Sequence, residues 1–468
     1  MLCAAMVFSA CGQMSTEKAE AEMPVIQTET TEVSLEELSS SKSAADTEKS
    51  EEIDASDLFT KRDLQQTPDL TDATYLTVTD GKDITIDAEG IYVLSGNAKN
   101  VTVLVEADEK DKVQLVLDGL TVTNTDSPCI YVKSADKVFV TTASEDNTLT
   151  VSGTFSADGD TNTDAVIFAK DDLVLNGTGT LKIKSSDNGI SGKDDIKITG
   201  GTIEISCSGS AVEAHDEILI ADGNIEITEC NDGLHAEDND DDTTGSITIT
   251  GGTIKIDAAD DAIHATTTVQ IDDGDLVLTA AEGIEATQVV INGGTIDITA
   301  SDDGINAAAK SSSLSPSVEI NGGNITIAMG AGDTDGIDSN GDLTINGGTL
   351  NITGQSPFDY DGTAEYNGGT LIVNGEETDT ITNQMFGGRG GQGGMMGPQG
   401  GFDGNGGMMG PQGGFEGNTD QRQQNQEGNA EQWQKKDFEG MPFDNNGGER
   451  KGRGGMRPGN KPQDNNRS

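Results

Sequence analysis

Apolar and polar residues alternate one by one through much of this chain, and the alternation restarts at a nearly fixed interval. Thr-Ile-Asp-Ile-Thr at 295–299 and Ser-Ile-Thr-Ile-Thr at 246–250 are examples. Strict alternation is the period of a half-buried strand. Aligned on the apolar residue after Gly-Gly-Thr or its equivalent, the copies fall at Ile203, Ile225, Ile254, Leu276, Ile296, Ile325, Leu350 and Leu371, in steps of 22, 29, 22, 20, 29, 25 and 21 residues. The short steps define a unit of 20–22 residues. The long ones carry insertions such as EDNDDDTTGS (237–246) and AAKSSSLSPS (308–317). A fixed period in this range marks a solenoid.

Three short strands per unit, separated by Gly/Asn/Asp turns, describe one coil of an all-β parallel β-helix. Each coil buries its Ile, Val and Leu against the coils about 4.8 Å above and below. Asn-Gly-Gly supplies the turn, because both residue types tolerate positive φ. An antiparallel sandwich with hairpins at Gly-Gly would explain the alternation but not the recurrence of whole units. The same rhythm, with more aromatics, runs back through 165–184 and 128–142 to 84–96, where capping coils are expected. The solenoid is placed at 71–376.

The flanks differ in kind. Residues 1–11 form a short apolar run ending in Phe8-Ser9-Ala10-Cys11, which resembles the lipobox of bacterial lipoproteins and makes Cys11 the lipidation candidate. Residues 12–70, rich in Glu, Ser, Thr and Ala, are expected to be a disordered acidic spacer. Residues 377–468, a Gly/Met/Gln/Asn-rich tail, cannot bury a core and are expected to be disordered. The picture is an extracellular lipoprotein on a bacterial surface, monomeric, touching the membrane only through its lipid.

Charge narrows the partners. A net charge of −54 leaves nothing to offset phosphate repulsion, which excludes nucleic acid and points to cations or cation-bridged polyanions. No CxxC spacing occurs among the five cysteines, so zinc and thioredoxin-like chemistry are unsupported. Cys207 and Cys230 either pair across neighbouring coils or remain buried thiols.

The repeat also aligns its acids. On the apolar column Ile190, Val212, Leu234, Ile263, Ile284, Ile305 and Ile337, the positions two before carry Asn188, Ser210, Asp232, Asp261, Glu282, Asp303 and Asp335. The positions one after carry Ser191, Glu213, His235, His264, Glu285, Asn306 and Asp338. Between them stands Gly or Ala at Gly189, Ala211, Gly233, Ala262, Gly283, Gly304 and Gly336, read as an outward lane open to close approach. Stacked carboxylates about 5 Å apart repel by roughly 3 kcal/mol per pair at an effective dielectric near 20. Keeping them in register makes sense if Ca²⁺, a hard cation taking six to eight oxygens, sits between coils. The candidate ligands are Asp232, Asp261, Glu282, Asp303, Asp335, Glu213, Glu285, Asn306 and Asp338, with Asp260 and Asp302 from the acidic pairs. The rival is a solvated acidic turn capping its own amides. All three histidines, His215, His235 and His264, fall on this strip. His235 and His264 lie two coils' length of sequence apart, which argues against a shared transition-metal site.

Absences shape the ligand. No Phe, Tyr or Trp occurs from Ala169 to Pro357, so the central coils lack platforms for neutral sugar rings. Platforms could come instead from Phe358, Tyr360, Tyr366, Tyr92, Tyr131, Phe139, Phe155 and Phe168. No Arg lies between Arg62 and Arg389, leaving few cations for direct uronate pairing.

The block VQLVLDGLTVTNTDSPCIYVKSADKVFVTTASEDNTL (113–149) and the NGGTI…DDGI units resemble the secreted clostridial carbohydrate-binding β-helix proteins, whose fold is similar to that of pectate lyases. The resemblance implies a right-handed helix, calcium sites, and plant cell-wall polysaccharide as partner, including cellulose and polygalacturonate. Three functions stay open: a non-catalytic calcium-dependent glycan binder, a calcium-dependent lyase using Lys255 or Lys310 as base, and a surface adhesin without a glycan ligand. The acidic columns and the scarcity of basic residues favour the first.

Overall fold

A computed structural model describes residues 58–143, 146–331 and 334–383. Cys11, the leader, most of the expected spacer and the tail from residue 384 lie outside the described residues.

One coil contains the strands Asp261–Ala265, Thr268–Ile271 and Asp275–Ala280. Each pairs in parallel with its equivalent in the next coil, Glu282–Ala286, Gln288–Ile291 and Thr295–Ala300. Repeated along the chain, this gives a 12-stranded and a 24-stranded sheet, a parallel β-helix. The larger sheet holds two faces because the long strand Lys112–Asn124 pairs at one end with Lys137–Thr142 and at the other with Asp146–Val151.

Alternation does the sorting predicted from sequence. In Thr295–Ala300 every second side chain is buried and the others are exposed. The apolar column stacks in register as Ile254, Leu276, Ile296, Ile325, Leu350 and Leu371. Each of these is at most 1% exposed, so the core is a stack of nearly identical layers.

The Asn-Gly-Gly turn works differently from the expectation. Positive φ falls on the second glycine, as at Gly294 (88°), Gly323 (88°) and Gly348 (80°). The asparagine instead joins a side-chain ladder: the Nδ2 of Asn321, Asn346 and Asn367 donates to the Oδ1 of Asn292, Asn321 and Asn346 at 2.8, 2.7 and 2.9 Å. Such ladders need equivalent residues at strand spacing, which the repeat provides.

The ends of the described solenoid are built individually. Thr370–Val373 pairs antiparallel with Glu376–Thr378 through Asn374 (φ 53°) and Gly375 (φ 82°), a two-residue turn whose positive φ values suit a tight hairpin. The hairpin extends the β-structure slightly past residue 376. At the other end, the expectation of a disordered spacer to residue 70 is corrected from residue 58 onward. Phe59 and Asp63 are buried, and the Arg62 guanidinium lies 4.5 Å from the Phe139 ring centroid. Gln66 donates from Nε2 to the Thr199 carbonyl at 2.8 Å and accepts from the Gly177 amide at 2.8 Å. A few specific contacts to the outside of the coils hold this segment where bulk hydrophobicity alone would not.

Candidate functional site

Register builds the site. The column after the apolar residue runs Glu213, His235, His264, Glu285, Asn306, Asp338 and on to Asp359, each directly paired with the next coil. Asp359 was missed because Pro357 and Phe358 replace the small and aliphatic residues that defined the motif. On the preceding side Asp261 pairs with Glu282, and the Asp335 amide donates to Asp303 Oδ1 at 3.1 Å.

These two columns do not flank an open lane. They meet: His264 Nδ1 lies 2.8 Å from Asp261 Oδ2 and 2.9 Å from Glu285 Oε2. The small residues between them face inward. A Cβ on Gly233 would sit 2.4 Å from the Ala262 carbonyl oxygen and 2.6 Å from Ile256 Cγ2, and one on Gly283 would sit 2.4 Å from the Gly304 oxygen. Their smallness serves packing between coils, not ligand access.

The 29-residue step between His235 and His264 is one coil, not two. The strand Leu234–Ala236 pairs directly with Asp261–Ala265, and the extra length is the loop beginning at Glu237. The imidazoles stack, with centroids 4.6 Å apart and planes 5° from parallel. His235 Nδ1 lies 3.3 Å from Asp232 Oδ2 without completing a hydrogen bond, and its Nε2 is 3.1 Å from Glu237 Oε2. Lys310 closes the group with Nζ 2.7 Å from Glu285 Oε2.

Charge divides the strip into two parts. Around the histidines, acids and cations neutralise one another. Burial pushes the His264 imidazolium down, but hydrogen bonds to Asp261 and Glu285 outweigh it and hold its pKa at about 9. Burial likewise raises Glu285, and His264 and Lys310 more than reverse this, leaving it lowered. Burial raises Asp232 too, and His235 and Asn231 bring it below its ordinary value. Glu213 accepts from Asn188 Nδ2 at 2.7 Å, with Lys193 Nζ 3.8 Å away.

Further along, the acids face one another. Burial first, then nearby carboxylates, push Glu282 and Asp303 up to about 7 and Asp338 up to about 6. The neighbours are Glu285, Asp261 and Asp303 for Glu282, and Asp359, Asp335 and Asp361 for Asp338. Among the described residues no salt bridge reaches Glu282, Asp303 or Asp338. Asn306 donates from Nδ2 to Glu282 Oε2 at 3.0 Å and spans the boundary between the two parts.

Some sequence candidates fall outside the strip. Asp260 and Asp302 are exposed on the turn, and Asp302 acts on Asp303 through its charge. Lys255 lies in the strand Thr253–Ala258 on another face, 2.8 Å from Glu226. Phe139, Phe168 and Phe358 are at most 1% exposed and Tyr131 is 5% exposed, which removes them as stacking platforms. Cys129, Cys207 and Cys230 are buried free thiols, so Cys207 and Cys230 do not pair. A second acidic group unmarked by the repeat, Asp172, Asp194 and Asp195, brings carboxylate oxygens within 4.8 Å of one another elsewhere on the coils.

The sequence pattern of the family described as carbohydrate-binding domain-containing protein matches residues 80–334 and 277–383. The chain belongs to that family. That description names carbohydrate as what members of the family bind. A relative of the same description from Acetivibrio thermocellus is 37% identical over 123 residues, 25% of this chain. The match spans 43% of that relative's length. A solved structure of a polysaccharide lyase-like protein from C. thermocellum, a gadolinium derivative, is similar at 27% identity and a TM-score of 0.34, covering 62% of this chain and 98% of that one.

Proposed function

We propose that this protein is a non-catalytic surface binder of acidic plant cell-wall polysaccharide, such as polygalacturonate and, secondarily, cellulose, that uses Ca²⁺ held on the acidic strip. Cys11 carries the lipid that anchors the monomer to the outside of a bacterial cell. One observation carries the calcium reading: Glu282 and Asp303 on one column and Asp338 on the other stand among carboxylates with no salt bridge to any of the three among the described residues, and burial with mutual repulsion raises their pKa values toward neutrality. The donors there are hard oxygens, which fit Ca²⁺, and Asp335 and Asp359 extend the set. Ca²⁺ would supply the positive charge that lets these acids ionise together, and its remaining positions would accept uronate oxygens. The chain's own part is to hold successive carboxylates at coil spacing, so that a polymer can be met by a row of sites.

Burial would lower the Lys310 pKa, but its hydrogen bond and charge interaction with Glu285 outweigh this and raise it, holding the amine protonated. A protonated amine cannot abstract the proton beside a uronate, which favours binding over lysis.

The test is retention of the full chain on polygalacturonate and on cellulose, with Ca²⁺ and with chelator. Calcium-dependent retention without unsaturated-uronide absorbance supports the proposal. Growing absorbance would make the protein a lyase, and retention on neither polymer in either condition would leave an adhesin.

A further inference from the structure

The histidine part of the strip has a different chemistry from the oxygen-only part. His235, Glu237 and His264 bring their ligand atoms within 4.8 Å of one another. Glu237 Oε2 is 3.1 Å from His235 Nε2 and 3.8 Å from His264 Nε2. Donors around a tetrahedral ion with bonds of about 2.0–2.1 Å stand roughly 3.3 Å apart, so small side-chain rotations would centre an ion among these three atoms. The far side of each ring is equally informative. His264 Nδ1 faces Asp261 and Glu285, and His235 Nδ1 faces Asp232. The hydrogen bond from His264 Nδ1 to Asp261 leaves Nε2 as the nitrogen for a metal, which would displace the proton this ring holds at neutral pH, while the 3.3 Å approach of Asp232 to His235 Nδ1 only orients that ring.

We infer that His235, Glu237 and His264 form a site for a borderline divalent ion such as Zn²⁺, with Asp232, Asp261 and Glu285 positioning the two imidazoles. Two nitrogens and one carboxylate oxygen suit such an ion better than Ca²⁺, which takes oxygen ligands. Three protein donors leave a fourth position, on the side where Glu237 is 37% and His235 20% exposed in their side chains. Water or an oxygen of a bound ligand fills that position. The site joins two coils, and it draws its third donor from the first residue of the loop at 237–246. Glu237 takes the coil position that His215 and Thr266 hold in the coils on either side, with its amide on the Ala214 carbonyl, and the rest of the loop follows it.

The experiment is calorimetric titration of the full chain with Zn²⁺ alone at about pH 7.5, alongside visible absorption with Co²⁺. The proposal expects a single tight site per chain and the intense d–d bands of a four-coordinate cobalt ion. His235→Gln and Glu237→Gln should each weaken that site by at least about tenfold. Asp303→Asn, in the oxygen-only part, should leave it unchanged. Both Glu237→Gln and Asp303→Asn replace partly exposed acids with an isosteric amide, and unchanged far-UV circular dichroism confirms their fold. No zinc heat from the native chain, a cobalt spectrum typical of six-coordinate oxygen ligation, or a zinc site insensitive to His235→Gln and Glu237→Gln would overturn the inference. Ca²⁺ titration of the same variants keeps its failure separate from failure of the calcium proposal.

Discussion

His264 Nδ1 lies 2.9 Å from Glu285 Oε2, although the two residues belong to consecutive coils and are 21 positions apart in the chain. The parallel pairing of Asp261–Ala265 with Glu282–Ala286 sets them side by side. One backbone register therefore decides which acids on the strip are neutralised and which are left to repel one another.

Removing that acid is expected to destabilise the protein. Glu285→Gln leaves Lys310 without its carboxylate and His264 Nδ1 with Asp261 alone, at a cost of about 2 kcal/mol near neutral pH. The His264 pKa is raised above its unfolded value, so its contribution is complete below about 6.5 and disappears as pH rises through about 9. Urea unfolding of both proteins at pH 7 and pH 10 should show the difference shrinking at the higher pH.

The oxygen-only part should respond to pH in a metal-dependent way. Glu282, Asp303 and Asp338 have folded pKa values raised to about 7, 7 and 6. Without metal, the stability tied to their protonated forms is present below about pH 4 and is lost as pH rises through 6–7. Ca²⁺ binds the ionised forms, so the gain in Tm on adding Ca²⁺ should be larger at pH 8 than at pH 5.5. An equal gain at both pH values would count against calcium at these acids.

Asp303→Asn separates charge relief from ligand loss. In chelator at pH 8 it should raise stability by about 1 kcal/mol, a figure reduced for partial exposure of the site. The same substitution should weaken Ca²⁺ binding by at least about tenfold in calorimetry, since an ionised ligand is lost. A variant stabilised without any loss of Ca²⁺ affinity would remove Asp303 from the ligand set.

The inward-facing small residues give a prediction independent of metal. Gly283→Ala would place a methyl 2.4 Å from the Gly304 carbonyl oxygen and 2.5 Å from Ile298 Cγ2. Backbone cannot give way cheaply between stacked coils, so a loss of about 1–3 kcal/mol is expected in urea unfolding. Asp302→Ala, on the exposed turn, should change stability by less than about 0.5 kcal/mol.

Much of the architecture was legible because a solenoid writes its packing into its period. Ile254, Leu276, Ile296 and Ile325 recur at one position of the repeat, and they stack in that register. The alignment also placed Asp232, Asp261, Glu282, Asp303, Asp335 and Asp338 on one strip. It failed where the period is interrupted. The inserted loop at 237–246 made one coil look like two and hid the stacking of His235 on His264. Pro357 and Phe358 hid Asp359. The low hydrophobicity of residues 58–70 hid the contacts of Phe59, Asp63 and Gln66.

The sequence by itself determined the strands, the coil length, the buried column and the edge on which acids recur, because alternation and repetition are local properties that neighbours impose on each residue. Tertiary structure alone decided which way the small residues face, which carboxylates meet a histidine or lysine, and which stand against their own kind. Those outcomes depend on side-chain distances of about 3 Å between coils, and residues some 20–30 positions apart are brought that close only when the coils stack.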